Sequence, residues 1–95
     1  MILVSAASAW EITTKVRIGK LPGAVAVAAD VAGCLASQQF ESLDITVLHA
    51  QRAGRLPGVH RDPFDRMLIA QAQIEDLPFV SNDPVFDSYS VTRIW

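Results

Sequence analysis

Apolar positions recur with a helical period over four stretches of the chain, separated by short apolar runs of strand length. Met1–Val4 is such a run, stopped by Ser5, and it reads as a buried strand ending at a helix start. From Ser5 to Ile18 the pattern is helical. Ser8 and Glu11 match the Ser-x-x-Glu capping box, and Ser5 is an equal candidate for the cap. Lys15 and Arg17 fall in the last turns with Gly19 just beyond, a C-terminal stop. A turn on Pro22-Gly23 leads to Ala24–Phe40, an alanine- and valine-rich segment long enough for a second helix. Gly33 weakens that helix by about 1 kcal/mol relative to alanine.

Leu43 and Ile45 alternate within Glu41–Thr46, a short strand, and Thr46 caps a third helix running through His49 and Arg52 towards Gly54. Arg55–Val59 is a loop with a second Pro-Gly. The next helix starts at Asp62 and ends around Glu75-Asp76. Pro78–Val80 is a brief strand closed by Ser81-Asn82-Asp83-Pro84. Val85–Ser88 predicts one helical turn, and Ser90–Trp95 a final strand with Val91 and Ile94. Strands separated by helical segments predict an α/β layered fold with a mainly parallel sheet. Ligands of such sheets collect at the carboxyl ends of the strands.

Composition narrows the class. The 95 residues are 51% hydrophobic, which predicts one folded domain spanning residues 1–95 and argues against disorder. The net charge of −2 gives no global basic field, so nucleic-acid binding would be local, through Arg61/Arg66 or Lys15/Arg17/Lys20. A single cysteine, Cys34, rules out an internal disulfide and suits a reducing cytoplasm, where it packs as a small apolar residue. No apolar run approaches membrane-spanning length, and the start lacks the features of a signal peptide. The expectation is a cytoplasmic protein with no membrane partner.

The chemistry gathers around His60–Ala72. Asp62 followed by Pro63 reads as an N-cap with proline at the first helical position. Asp65 is then the third helical residue, facing free N–H groups and the positive end of the helix dipole. Leu68, Ile69 and Ala72 lie three, four and seven residues beyond it, so its carboxylate heads the apolar stripe. Asp83 follows a strand and Glu11 lies in the helix after another, so three carboxylates converge on one sheet edge. Oxygen donors of this kind suit hard divalent cations, whereas carboxylates gathered without one raise each other's pKa. Each residue also has a plain reading. Glu11 serves a capping box, Asp83 caps before Pro84, and His60 is a solvated loop histidine.

Three segments together resemble the PIN domain, and within it the toxin ribonucleases of VapC type. Ser5-Ala-Ala-Ser-Ala-Trp-Glu-Ile, followed by Lys15 and Gly19-Lys20-Leu21, is similar to the family's first conserved helix. His60-Arg-Asp-Pro-Phe-Asp-Arg-Met-Leu-Ile-Ala-Gln-Ala resembles its most recognisable segment, and Val80-Ser-Asn-Asp with Phe86 and Tyr89 its last acidic motif. The resemblance implies a three-layer α/β/α sandwich with a mainly parallel sheet. It implies Glu11, Asp65 and Asp83 as catalytic residues that hold Mg²⁺ or Mn²⁺, with Asp62 as a cap beside them. Ser81 and Asn82 would support the site, and His60 and Arg66 would meet RNA phosphate.

Family members open with a strand carrying an aspartate, ahead of the segment that begins here at Met1. By resemblance, then, the domain is N-terminally truncated, lacks its central first strand and first acidic residue, and completes its sheet by rearrangement or with a second copy. The function implied is a metal-dependent endoribonuclease, the toxin of a type II toxin–antitoxin system, whose partners are RNA, a cognate antitoxin and a homodimer mate. The alternative is a catalytically inactive PIN remnant that dimerises or binds an antitoxin. A small-ligand α/β domain is disfavoured, because the sequence has neither Gly-x-Gly-x-x-Gly nor a P-loop.

Overall fold

A computed structural model describes residues 2–58, 62–80 and 93–94, with 79–80 and 93–94 described as backbone alone. The chain divides into two compact units, residues 1–44 and 45–95.

The first unit is a strand–helices–strand arrangement. Strand β1 (Leu3–Ser5) pairs in parallel with β2 (Glu41–Leu43), Leu3 opposite Glu41 and Ser5 opposite Leu43. Helix α1 (Ala6–Arg17) follows β1 directly. Of the two candidate caps Ser5 takes the role: its backbone is extended and its Oγ accepts from Ala7 N at 3.0 Å. Glu11 reaches forward instead, to Lys15 one turn on. At the far end Gly19 has φ +77°, Lys20 N donates to Lys15 O and Gly19 N to Val16 O. That paired closure needs a left-handed residue, which is why glycine stands there.

The single helix expected over Ala24–Phe40 is broken. A 3₁₀ turn (Pro22–Ala24) runs into α2 (Val25–Ala29), and α3 (Val31–Ser37) starts afresh. Asp30 divides them, its Oδ1 accepting from Gly33 N at 2.9 Å. A carboxylate that caps the following turn competes with continuing the helix through its own residue. Alanine-rich propensity hid that stop. Strand β2 is also shorter than expected, closing at Leu43, so the alternation to Ile45 is not used.

The second unit is built on α4 (Val47–Arg55) and α5 (Pro63–Glu75), which pack on each other. Thr46 caps α4 as expected, and His49 completes the box. His49 N donates to Thr46 Oγ1 at 3.2 Å, and Thr46 N to His49 Nδ1 at 3.0 Å. Asp62 caps α5 with Pro63 in the first turn, and Asp76 ends it in a left-handed conformation (φ 52°) that aspartate tolerates. Ala53, Ile69, Ala70 and Ala72 form the buried apolar centre, together with the polar His49 and Gln71. Strand β3 (Phe79–Val80) pairs in parallel with β4 (Arg93–Ile94), Phe79 opposite Arg93. Both strand pairs are therefore parallel, as the alternation of strands and helices predicts for an α/β fold.

Candidate metal centre

The amino end of α5 brings together two carboxylates, Asp62 and Asp65. Asp62 Oδ1 accepts from Phe64 N at 2.9 Å and from Asp65 N at 3.2 Å, so one oxygen of the cap is committed to the backbone. Asp65 stands in the first turn, and carboxylate oxygens of Asp62 and Asp65 lie within 4.8 Å of one another. Both residues are half-buried. Two anions at such a distance repel, and two features offset this: the positive end of the helix dipole and the water still reaching them. Their oxygens are the donor type that Mg²⁺ or Mn²⁺ takes.

Pro63 contributes indirectly. It fixes φ near the helical value and gives up an N–H that the first turn would leave unpaired, so the turn presenting Asp65 is stiff. Behind that turn, Arg66 draws α4 and α5 together. Its Nε and Nη2 donate to Ala53 O at 3.1 and 2.8 Å, and Nη2 also donates to Leu56 O at 2.6 Å. These carbonyls belong to the open end of α4, where a cation is favoured. The family resemblance implies a phosphate contact for Arg66; in the fold its guanidinium donates to the carbonyls that end α4.

In the first unit, Glu11 sits mid-way along α1, half-buried, its Oε2 accepting from Lys15 Nζ at 2.7 Å. The (i, i+4) order with glutamate first is the favourable one on a helix. His60, Ser81, Asn82 and Asp83 lie outside the described residues.

Sequence reasoning passed over His49. It is 1% exposed; Nδ1 accepts from Thr46 N, and Nε2 lies 2.8 Å from Glu75 Oε1. With Nδ1 occupied as an acceptor, the ring proton is assigned to Nε2, pointing at the carboxylate. Gln71, also buried, places its Nε2 3.4 Å from the same Nδ1. The signal was present: Thr46-x-x-His49 has the spacing of a capping box, with histidine in the place of glutamate.

The family model of the PIN domain matches residues 1–91, nearly the whole chain. The chain belongs to the PIN-domain family. PIN domains are typically metal-dependent nucleases, which gives the carboxylates at the head of α5 a chemical context. Comparison with curated proteins and with solved structures gives no match. Among the described residues no helix is long and apolar enough to cross a membrane.

Proposed function

We propose that this PIN domain is a metal-dependent endoribonuclease of VapC type, the toxin of a type II toxin–antitoxin pair, acting in the cytoplasm. The observation that carries the reading is the turn Asp62–Asp65, where two half-buried carboxylates stand together in a chain matching a nuclease family over residues 1–91. In this reading Glu11, Asp65 and Asp83 hold Mg²⁺ or Mn²⁺. Asp62 keeps the helix start fixed and adds negative charge. When bound, the cation lowers the pKa of water and offsets charge on the phosphodiester.

The chain's own groups have separable roles. Pro63 and the Asp62 cap hold Asp65 in place, so the carboxylate needs little reordering to meet a cation. Arg66 keeps α5 against α4, and Lys15 orients Glu11 until a cation competes for it. Ser81, Asn82 and His60 are proposed to line the path of the RNA.

The partners proposed are RNA, a cognate antitoxin and a second copy of the chain. Support for the last comes from strand count. Among the described residues β1 and β2 of the first unit form a two-stranded sheet, and a two-stranded sheet leaves edges that another strand can pair with.

RNA cleavage by the full chain, with Mg²⁺ and with chelator, beside Asp65→Asn and Asp83→Asn, tests the reading. Cleavage that needs the cation and is lost in both variants is expected. Cleavage that ignores both substitutions rules the assigned site out.

A further inference from the structure

Helix α4 carries an exposed face that the candidate metal centre does not use. Leu48, Arg52 and Arg55 stand at i, i+4 and i+7, so they share one side of the helix. Val47 and Leu48 are 82% and 65% exposed, an apolar start that the helix's own packing leaves open. With Gln51, and with the exposed Ile74 of α5, Leu48 and the two arginines line a groove of about 330 Å³.

The two arginines are held by amides rather than by carboxylates. Arg52 Nε donates to Oε1 of Gln73 on α5. The Gln51 amide, assigned with its oxygen towards Arg55, accepts from Nη2 and Nη1 at 3.0 and 2.8 Å. Neutral partners fix the guanidinium groups and leave their charge uncompensated; neither arginine has an ion pair among the described residues. Helix α4 contains no acidic residue, and Glu75, next to Ile74, engages His49.

We propose that this groove docks a partner protein through an acidic amphipathic helix. Apolar side chains of the partner cover Leu48 and Ile74, and its carboxylates one turn on meet Arg52 and Arg55. From Leu48 to Arg55 the face runs about 10 Å along the axis, about two turns of a partner helix. Apolar anchors one turn apart are how a helix seats in a groove, and arginine offers a planar fork to a carboxylate. Two other occupants fit less well. A second copy laying its α4 on this one would set arginine against arginine, with no acid on either helix. A nucleic acid would meet the arginines but find no aromatic ring among the lining residues on which to stack. The proposal does not rest on the nuclease reading, because none of the groove residues is assigned to the cation.

The probe is a fluorescein-labelled designed peptide of about 16 residues, with leucines at i, i+3, i+4 and i+7 and glutamates on the flanks. A second peptide carries lysine in place of every glutamate. Anisotropy with the full chain should show saturable binding of the acidic peptide that weakens as salt rises. The basic peptide should bind with a Kd at least about ten-fold higher. Leu48→Ala should raise the Kd of the acidic peptide about five-fold or more. Arg52→Glu with Arg55→Glu should exchange the preference, making the basic peptide the tighter ligand. Arg52→Gln with Arg55→Gln, a milder pair of changes on exposed side chains, should weaken the acidic peptide without creating that preference. No saturable binding of the acidic peptide, or equal affinity for both peptides, overturns the proposal. So does binding that ignores both Leu48→Ala and the glutamine pair, which would seat the peptide elsewhere. A sedimentation mass that falls in Leu48→Ala while peptide affinity is unchanged would make the face a contact between copies. RNA affinity lost in the glutamine pair with peptide affinity unchanged would give the arginines to nucleic acid. Either result overturns the proposal too.

Discussion

The imidazole of His49 lies 2.8 Å from the carboxylate of Glu75, tying the first turn of α4 to the last turn of α5. The same ring accepts from Thr46 N, so one buried side chain both caps a helix and bridges to its neighbour. His49→Ala removes the cap partner and the bridge and opens space in a tight centre, and a loss of about 2–4 kcal/mol is expected. Glu75→Gln keeps an acceptor on a partly exposed side chain, so its loss should stay near 1 kcal/mol. Urea unfolding of the two variants measures both. Equal losses would show that the bridge, not the buried ring, carries the energy.

Asp62 and Asp65 are separable by the same method joined to an activity assay. Asp62 accepts two backbone N–H groups, so Asp62→Ala should cost about 1–2 kcal/mol. Asp62→Asn retains the cap and should cost only a few tenths. Asp65→Asn should leave stability within about 0.5 kcal/mol yet reduce cleavage at least about 10²-fold, as expected for a cation ligand. If Asp65→Asn instead lowers stability by about 1–2 kcal/mol while the folded variant keeps its activity, the roles assigned to the two aspartates are reversed.

Gly33 makes a sharper case. Helix propensity alone predicts that Gly33→Ala stabilises α3 by about 1 kcal/mol. A Cβ at this position would stand 2.2 Å from Asp30 Oδ2 and 2.8 Å from its Cγ, so the cap must move aside. The cap is worth about the same amount, and the expected net change is close to zero. In an Asp30→Ala background nothing obstructs the methyl, and Gly33→Ala should then gain about 1 kcal/mol. A double-mutant cycle by thermal or urea unfolding reads the coupling. Additive effects would show that Asp30 does not restrain the glycine.

These positions indicate what the chain discloses without its fold. Ser5, Thr46 and Asp62 act within three residues of themselves, and each is legible because capping follows local rules. The family resemblance was legible for a related reason: its motifs are short, and their order survives in the chain. Asp30 was also local, but an alanine-rich surround outweighed it in a propensity reading. His49 to Glu75 spans 26 residues and Arg66 to Ala53 spans 13. Pairings of that kind are decided by how α4 packs on α5, which spacing does not encode. Glu11 pairing with Lys15 was hidden differently, because a capping-box reading had already given the carboxylate a use.

Arg66 invites a test between a phosphate contact and a helix clamp. Three of its hydrogen bonds end on carbonyls at the carboxyl end of α4. Arg66→Ala should therefore cost about 2–3 kcal/mol, and Arg66→Lys should recover little, since an ammonium lacks the planar fork that serves two carbonyls. The slope of RNA affinity against salt should be unchanged in Arg66→Ala, measured where the variant is still folded. A slope lowered by about 0.7 in that variant would return Arg66 to the RNA.

Cation binding offers a readout independent of catalysis. A ligand that binds only the folded chain stabilises it by about 2.7 kcal/mol at a hundred times its dissociation constant. For a domain of this size that corresponds to a rise in Tm of roughly 10 °C or more. Mg²⁺ or Mn²⁺ added to chelator-treated protein should produce such a rise, and excess chelator should reverse it. Asp65→Asn should abolish most of the shift while leaving the metal-free Tm in place, because Asp62 rather than Asp65 holds the helix start. Glu11→Gln should do the same if the carboxylate on α1 is part of the site, and it also weakens the part-buried (i, i+4) pair with Lys15, worth about 0.5 kcal/mol. A full shift retained in Glu11→Gln but lost in Asp65→Asn would confine the site to α5 and the residues that follow it.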